Sequence, residues 1–196
     1  WNCMNRSTKI FSLLILTLLL ITGCSQKKDG PLAQIYNSAK GDITEVVKLN
    51  NELIKAQSEK RYADTKKIFD EMNIKRVKTQ TRLNKLISEQ DGIEIPFKQQ
   101  DINSVFEIKQ IKAIGVIWNS NLDPNLIFSA TILLKDSLRD SFFGRWDFID
   151  SENKIIDNPA FYSPTKLIGT PPGEIVELKS NTTFSKIVDF QQFIIK

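Results

Sequence analysis

The chain has 196 residues, 41% hydrophobic and 26% charged, with a formal charge of +4 and no histidine. A balance so near neutral argues against nucleic acid as a partner. The lack of histidine removes the commonest general base and the commonest neutral metal ligand, and the length suits one folded domain or two small ones with a real core.

Taken in chain order, Met4 followed by Asn-Arg-Ser-Thr-Lys reads as the true start, with residues 1–3 as upstream read-through. That leaves Cys24 as the single cysteine after Cys3, so no intramolecular disulfide is expected. A basic opening (Arg6, Lys9) leads into an apolar run over residues 10–21, interrupted by Ser12 and Thr17. Charged start, apolar middle and small-residue exit is the layout of a signal peptide, expected here over residues 1–23. At about a dozen residues the run falls short of the roughly 20 that span a bilayer as a helix. A retained anchor is the competing reading.

The exit, Ile21-Thr22-Gly23-Cys24, resembles the lipobox of bacterial lipoproteins: a branched aliphatic, a small residue, glycine or alanine, then cysteine. The resemblance implies cleavage between Gly23 and Cys24, a diacylglyceryl thioether on the Cys24 sulfur, and fatty acylation such as palmitate at the new amino terminus. It further implies a bacterial cell-envelope location. In a Gram-negative envelope Ser25, in place of aspartate, directs such a protein to the outer membrane facing the periplasm; in a Gram-positive one it stays outside the plasma membrane. A chance cysteine after an ordinary secretory signal is the alternative.

Residues 24–41 are polar, with Lys27, Lys28 and Asp29 followed by Gly30-Pro31 and Gly41, and read as a lipidated cysteine with a flexible tether. A helical hairpin is expected over residues 42–90, which hold no proline and no glycine. Asp42 with Glu45 three residues on has capping-box spacing. Ile43, Val46, Val47, Leu49, Leu53 and Ile54 form one apolar stripe. After the polar break QSEKRY, a second stripe runs through Ile68, Phe69, Met72, Leu83, Leu86 and Ile87. Arg76 interrupts it, and Ile74 and Val77 lie off it, which predicts a kink or a contact with the downstream half. Lys75, Lys78, Arg82 and Lys85, three and four residues apart, make a basic ridge suited to an anionic partner; a solvated helix face is the competing reading.

The charge pattern changes near residue 90. Residues 25–90 hold 14 basic against 9 acidic side chains, and residues 91–196 hold 11 against 14. The apolar period changes there too, from helical spacing to alternation in IKAIGVIW, LIFSATILLK, SFFGRWDFID, GEIVELK and FSKIVDFQQFIIK. Phe128, Ala130, Ile132 and Leu134 share one face, as do Phe142, Trp146 and Phe148. In the last run Val188 and Phe190 have one parity and Phe193 and Ile195 the other, which a bulge near Gln191-Gln192 reconciles. Turn clusters NSNLDPN, DSLRD, DSENK and GTPPGE separate the runs. The expected fold is therefore α+β, an N-terminal helical hairpin followed by an antiparallel β-sandwich over residues 91–196. In its GRWDFIDSENKII and PPGEIVELK segments the β half resembles, in layout, the immunoglobulin-like modules of envelope lipoproteins.

No catalytic residue, metal site or cofactor is expected. No serine has the setting of a nucleophile elbow or an S-x-x-K motif, and the glycines are too scattered for a phosphate loop. Asp136, Asp140, Asp147, Asp150, Glu152 and Asn153 crowd the β half, but Asp150 and Asn153 are ordinary hairpin residues and the EF-hand pattern is missing. Trp118 and Trp146 have the choice of sugar stacking or the core, and strands of this kind favour the core. These features point to a non-enzymatic, membrane-tethered binding or adaptor module whose partner is another envelope protein or a cell-wall polymer. The competing functions are a carboxylate-dependent envelope hydrolase and a carrier of a small or lipidic ligand between the sheets.

Overall fold

The computed structural model describes residues 30–100, 105–120, 122–137, 143–150, 152–162, 168–187 and 192–195. Cys24, the leader and the start of the tether lie outside the described residues, as do Asp140, Phe142, Val188, Phe190 and Gln191. Pro31–Lys196 form one compact unit, so helices and strands share a domain rather than dividing near residue 90.

Two helices come first, α1 over Pro31–Ser58 and α2 over Tyr62–Ser88. The first begins eleven residues before the expected cap, so residues 31–41 are helix and not tether. Pro31 suits a first helical position, where the missing N–H costs nothing. Leu32, Ala33, Ile35 and Ala39 then extend the apolar stripe toward the amino terminus. Asp42 and Glu45 are consequently mid-helix residues that reach across to α2, pairing with Arg82 and Lys75. Low numbers on α1 meet high numbers on α2, which makes the hairpin antiparallel.

Both helices end in the same way. Arg61 N–H donates to the Ala56 carbonyl and Lys60 N–H to that of Gln57, with Lys60 at φ 57°. Gly92 and Asp91 repeat the pattern on Ile87 and Ser88, with Asp91 at φ 55°. These are Schellman closures, built here on a lysine and an aspartate where glycine is usual.

Nine strands follow among the described residues: β1 Ile93–Glu94, β2 Phe97–Gln99, β3 Phe106–Trp118, β4 Pro124–Leu134, β5 Phe143–Ile149, β6 Ile155–Asp157, β7 Ala160–Tyr162, β8 Ile175–Thr183 and β9 Gln192–Ile195. Strands β1, β3, β4 and β8 form an antiparallel sheet, which β7 links to a smaller one of β5, β9 and β2, with β6 paired to β5. The β2–β9 pairing is parallel; the others are antiparallel. Strands β1 and β2 belong to one segment, so the two ends of the strand order are consecutive in the chain. Ile93–Glu94 pair with β3 and Phe97–Gln99 with β9, and Pro96, which has no N–H to offer a ladder, sits at the switch. The Gln99 amide then returns to β3, donating to the Phe106 carbonyl at 3.1 Å and accepting from Ile108 N–H at 3.1 Å. One short segment thus ties together the two outer edges.

The alternation in β4 is as the sequence predicts: Phe128, Ala130, Ile132 and Leu134 are all buried. Trp146 and Phe148 are buried as well, and Phe128 of β4 meets Phe148 of β5 with ring centroids 5.1 Å apart. Those strands are not neighbours in the strand order, so the contact joins the larger sheet to the smaller one. The final run departs from expectation, because Phe184–Ile187 form a 3₁₀ turn instead of strand. Residues three apart eclipse in that geometry, and Phe184 and Ile187 both reach the core.

The edge of β3 is closed by side chains from outside the sheet. Val116 N–H donates to Asn84 Oδ1 of α2 at 2.6 Å. Gly115 makes this approach possible, since a Cβ there would lie 3.2 Å from the same oxygen. An open backbone donor on a long strand invites pairing with another chain, and the helix removes that one. Asn84→Ala leaves the Val116 N–H without its acceptor and is expected to lower stability by about 1–3 kcal/mol in urea unfolding. An unchanged midpoint would show that water replaces the amide at no cost.

Candidate functional site

The hairpin meets the β half through the carboxy-terminal half of α2, which lies on β3, and through Tyr36 of α1, which packs on the 3₁₀ turn. Trp118 at the end of β3 donates its indole N–H to the Arg76 carbonyl at 3.0 Å, and the Arg76 guanidinium lies 5.7 Å from the centre of the same ring. Arg76, which interrupts the apolar stripe in the sequence, therefore makes the predicted contact with the downstream half. The cation–π contact accompanies an Arg76 Nε that is buried without a hydrogen-bond partner among the described residues.

On α1, Tyr36 packs edge-on against Phe184 with centroids 5.2 Å apart. Burial, reinforced by the nearby Asp123 charge, holds the Tyr36 hydroxyl above its ordinary pKa, while a hydrogen bond with Ser185 works the other way. Ser185 Oγ in turn donates to Asp123 Oδ2 at 2.8 Å. This cluster joins α1, the β3–β4 turn and the 3₁₀ turn.

The four residues of the predicted basic ridge are brought to one helix but have different surroundings. Lys75 pairs with Glu45. Arg82 binds Asp42 at 2.9 Å and also donates to the Ser38 carbonyl at 2.8 Å, so both residues hold the hairpin together. Lys85 reaches Glu89 at 3.7 Å with both side chains largely in solvent, a pair of small energetic weight. Lys78 is exposed, and no ion pair is found for it among the described residues. The ridge thus divides into two structural cations and two outward ones.

The described acidic residues of the β half serve local turns and strand contacts. Asp150 Oδ1 accepts from Glu152 N–H and Lys154 N–H, which makes it the pivot of the β5–β6 hairpin, and Asn153 takes φ 61° in the same turn. Asp157 receives the Thr182 hydroxyl and lies 3.8 Å from Lys186. Asp136 accepts from Ser137 N–H next to it. Among the described residues no group of three or more metal-ligating side chains is found.

At the helix–sheet corner, Asp91 accepts from Lys112 Nζ at 2.9 Å, and the same ammonium binds the Asp91 carbonyl at 3.0 Å. The hydrogen bond and charge of Lys112 hold the Asp91 carboxyl below its ordinary pKa. A depressed folded-state pKa contributes stability above the unfolded value and loses it as pH falls through the folded one. Asp91→Asn is therefore expected to lower stability slightly at pH 7 and to leave wild type and variant equal in melting temperature well below pH 4. A difference that persists at pH 2 would contradict the assignment.

Sequence reading missed which apolar helix residues remain outside. Ile74 and Val77 are 70% and 65% exposed. Tyr62 and Phe69 of α2, and Val47 and Ile54 of α1, are also substantially exposed. The signal was present in the spacing, since Ile74 and Val77 fall opposite Met72, Thr79 and Leu83, the buried line of α2. Around Ile74 the surface of α2 forms a shallow depression lined by Ala63, Lys66, Lys67, Asp70, Lys75 and Lys78 among others. No helix among the described residues is long and apolar enough to cross a membrane.

Comparison of the chain with protein-family models, curated proteins and solved structures returned no match.

Proposed function

We propose that this chain is a lipid-anchored bacterial envelope protein that acts as a non-enzymatic binding or adaptor module, tethered through Cys24 and presenting its helical hairpin and β half to another envelope protein or a cell-wall polymer. The observation that carries this reading is the sequence Ile21-Thr22-Gly23-Cys24 at the end of a short apolar run behind a basic start. The domain itself supports it in two ways. Its carboxylates Asp42, Glu45, Asp91, Asp150 and Asp157 each hold a structural partner, which argues against the hydrolase reading. Phe128, Trp146 and Phe148 are buried together in one apolar core, which argues against a carrier.

The likeness to immunoglobulin-like envelope modules rests on the layout of the GRWDFIDSENKII and PPGEIVELK segments, and the Phe128–Phe148 contact between strands of the two sheets supports it. Incorporation of labelled fatty acid at Cys24 in cells tests the anchoring, and its outcome with the serine variant is taken up in the Discussion.

A further inference from the structure

We infer that the outward face of α2 is a membrane-contact surface that lays the hairpin against a bilayer containing anionic lipid. The face is defined by helical geometry and by burial together. At 100° per residue, Lys66, Lys67, Ile74, Val77, Lys78 and Lys85 fall on the side of α2 opposite its buried line, and all six are exposed. Asp70 lies within that arc and Glu71 and Glu89 lie at its margin, Glu89 3.7 Å from Lys85, against four lysines. Lys67, Ile74, Lys78 and Lys85 are spaced by seven, four and seven positions and so form a nearly straight line about 27 Å long. The opposite face is already occupied by α1 and β3.

Apolar side chains at the centre of a lysine-flanked helix face match the arrangement of interfacial helices. There the apolar residues enter the headgroup–acyl boundary while lysine stems extend their ammonium groups to the phosphates. An acidic protein would also satisfy the charge. The linear 27 Å array of like charges, with two large apolar side chains left in water between them, fits an extended planar anion better. The chemistry of the tether agrees: with helix starting at Pro31, six residues separate it from Cys24, a reach of at most about 25 Å. Under the lipid-anchored reading, which this last point rests on, α1 begins close enough to the headgroups for the hairpin to lie flat.

The test uses the compact unit, residues 31–196, which carries no Cys24 and therefore reports on this face independently of lipidation. Co-sedimentation with vesicles of phosphatidylcholine containing about one-third phosphatidylglycerol is expected to capture the unit, and pure phosphatidylcholine vesicles are not. Each lysine at an anionic surface is equivalent to about 1 kcal/mol, or roughly fivefold in partitioning. Lys67→Gln with Lys78→Gln and Lys85→Gln is then expected to weaken binding on the order of a hundredfold, as does 0.5 M salt. Ile74→Ser with Val77→Ser is expected to weaken it at least tenfold at unchanged far-UV circular dichroism. Equal capture by both vesicle types, or no loss in either set of variants, would overturn the inference. So would self-association, seen by sedimentation and abolished by Ile74→Ser and Val77→Ser, in a unit that binds no vesicles; the face would then belong to a second copy. Loss of fatty-acid labelling is a separate result and leaves the vesicle outcome standing.

Discussion

Cys24→Ser is expected to abolish fatty-acid labelling and, in the molecules whose leader is removed by another cut, to move the protein from the membrane to the soluble fraction of cells washed at high salt. The reason is chemical before it is structural. A thiol forms the thioether because its thiolate is a strong nucleophile at accessible pH, and a serine hydroxyl has no comparable anion. Without the diacylglyceryl group the lipoprotein signal peptidase has no substrate, so the leader of the variant is retained or is removed by a different cut. Each buried methylene contributes about 0.8 kcal/mol, one acyl chain anchors reversibly and two or more anchor stably. Losing the chains therefore shifts the distribution by several orders of magnitude, far beyond what a helix face supplies. The salt wash separates the two contributions, since it screens lysine–phosphate attraction and leaves acyl burial untouched. A variant that still takes up the fatty-acid label, or that has lost its leader and yet stays in the washed membranes as fully as the wild type, would end the lipoprotein reading.

Phe128→Ala is expected to cost about 3–5 kcal/mol of unfolding free energy. The ring is fully buried and meets Phe148 of the smaller sheet, so its removal leaves a cavity lined from both sheets instead of a dent that one sheet can close. For a domain of this size the melting temperature falls on the order of 10 °C. Phe128→Leu, which keeps much of the volume, is expected to cost less than half as much. The alanine variant reports on cooperativity as well. Helices and strands share one apolar core, so the far-UV signal of the hairpin and the near-UV signal of the buried tryptophans are expected to fall together. Two separated transitions would show that the hairpin and the β half fold independently.

Local pattern was enough to read the parts of this molecule whose stabilisation is local. The break QSEKRY, the stripes on both helices, the alternation in β4 and the Asp150 turn all depend on side chains within a few positions of one another. What required the folded chain is long-range. The role of Asp42 depends on Arg82, forty positions away, and so a residue with capping-box spacing became half of an ion pair inside a longer helix. Arg76 looked like a fault in an apolar stripe until Trp118 was placed over it. The partition of the basic ridge depended on where α1 lies, since Glu45 and Asp42 take Lys75 and Arg82 while Lys78 and Lys85 face outward.

The amino-acid sequence by itself determined the order of helices before strands and the identity of the core-facing residues in β4, because each of these is encoded by a repeat shorter than one element. Tertiary structure decided which of two exposed-looking helix faces is covered, how residues 93–99 tie the outer edges of the strand order together, and which lysines remain outward. Those outcomes depend on pairings between positions far apart in the chain, and periodicity carries no record of which distant partner a side chain will meet.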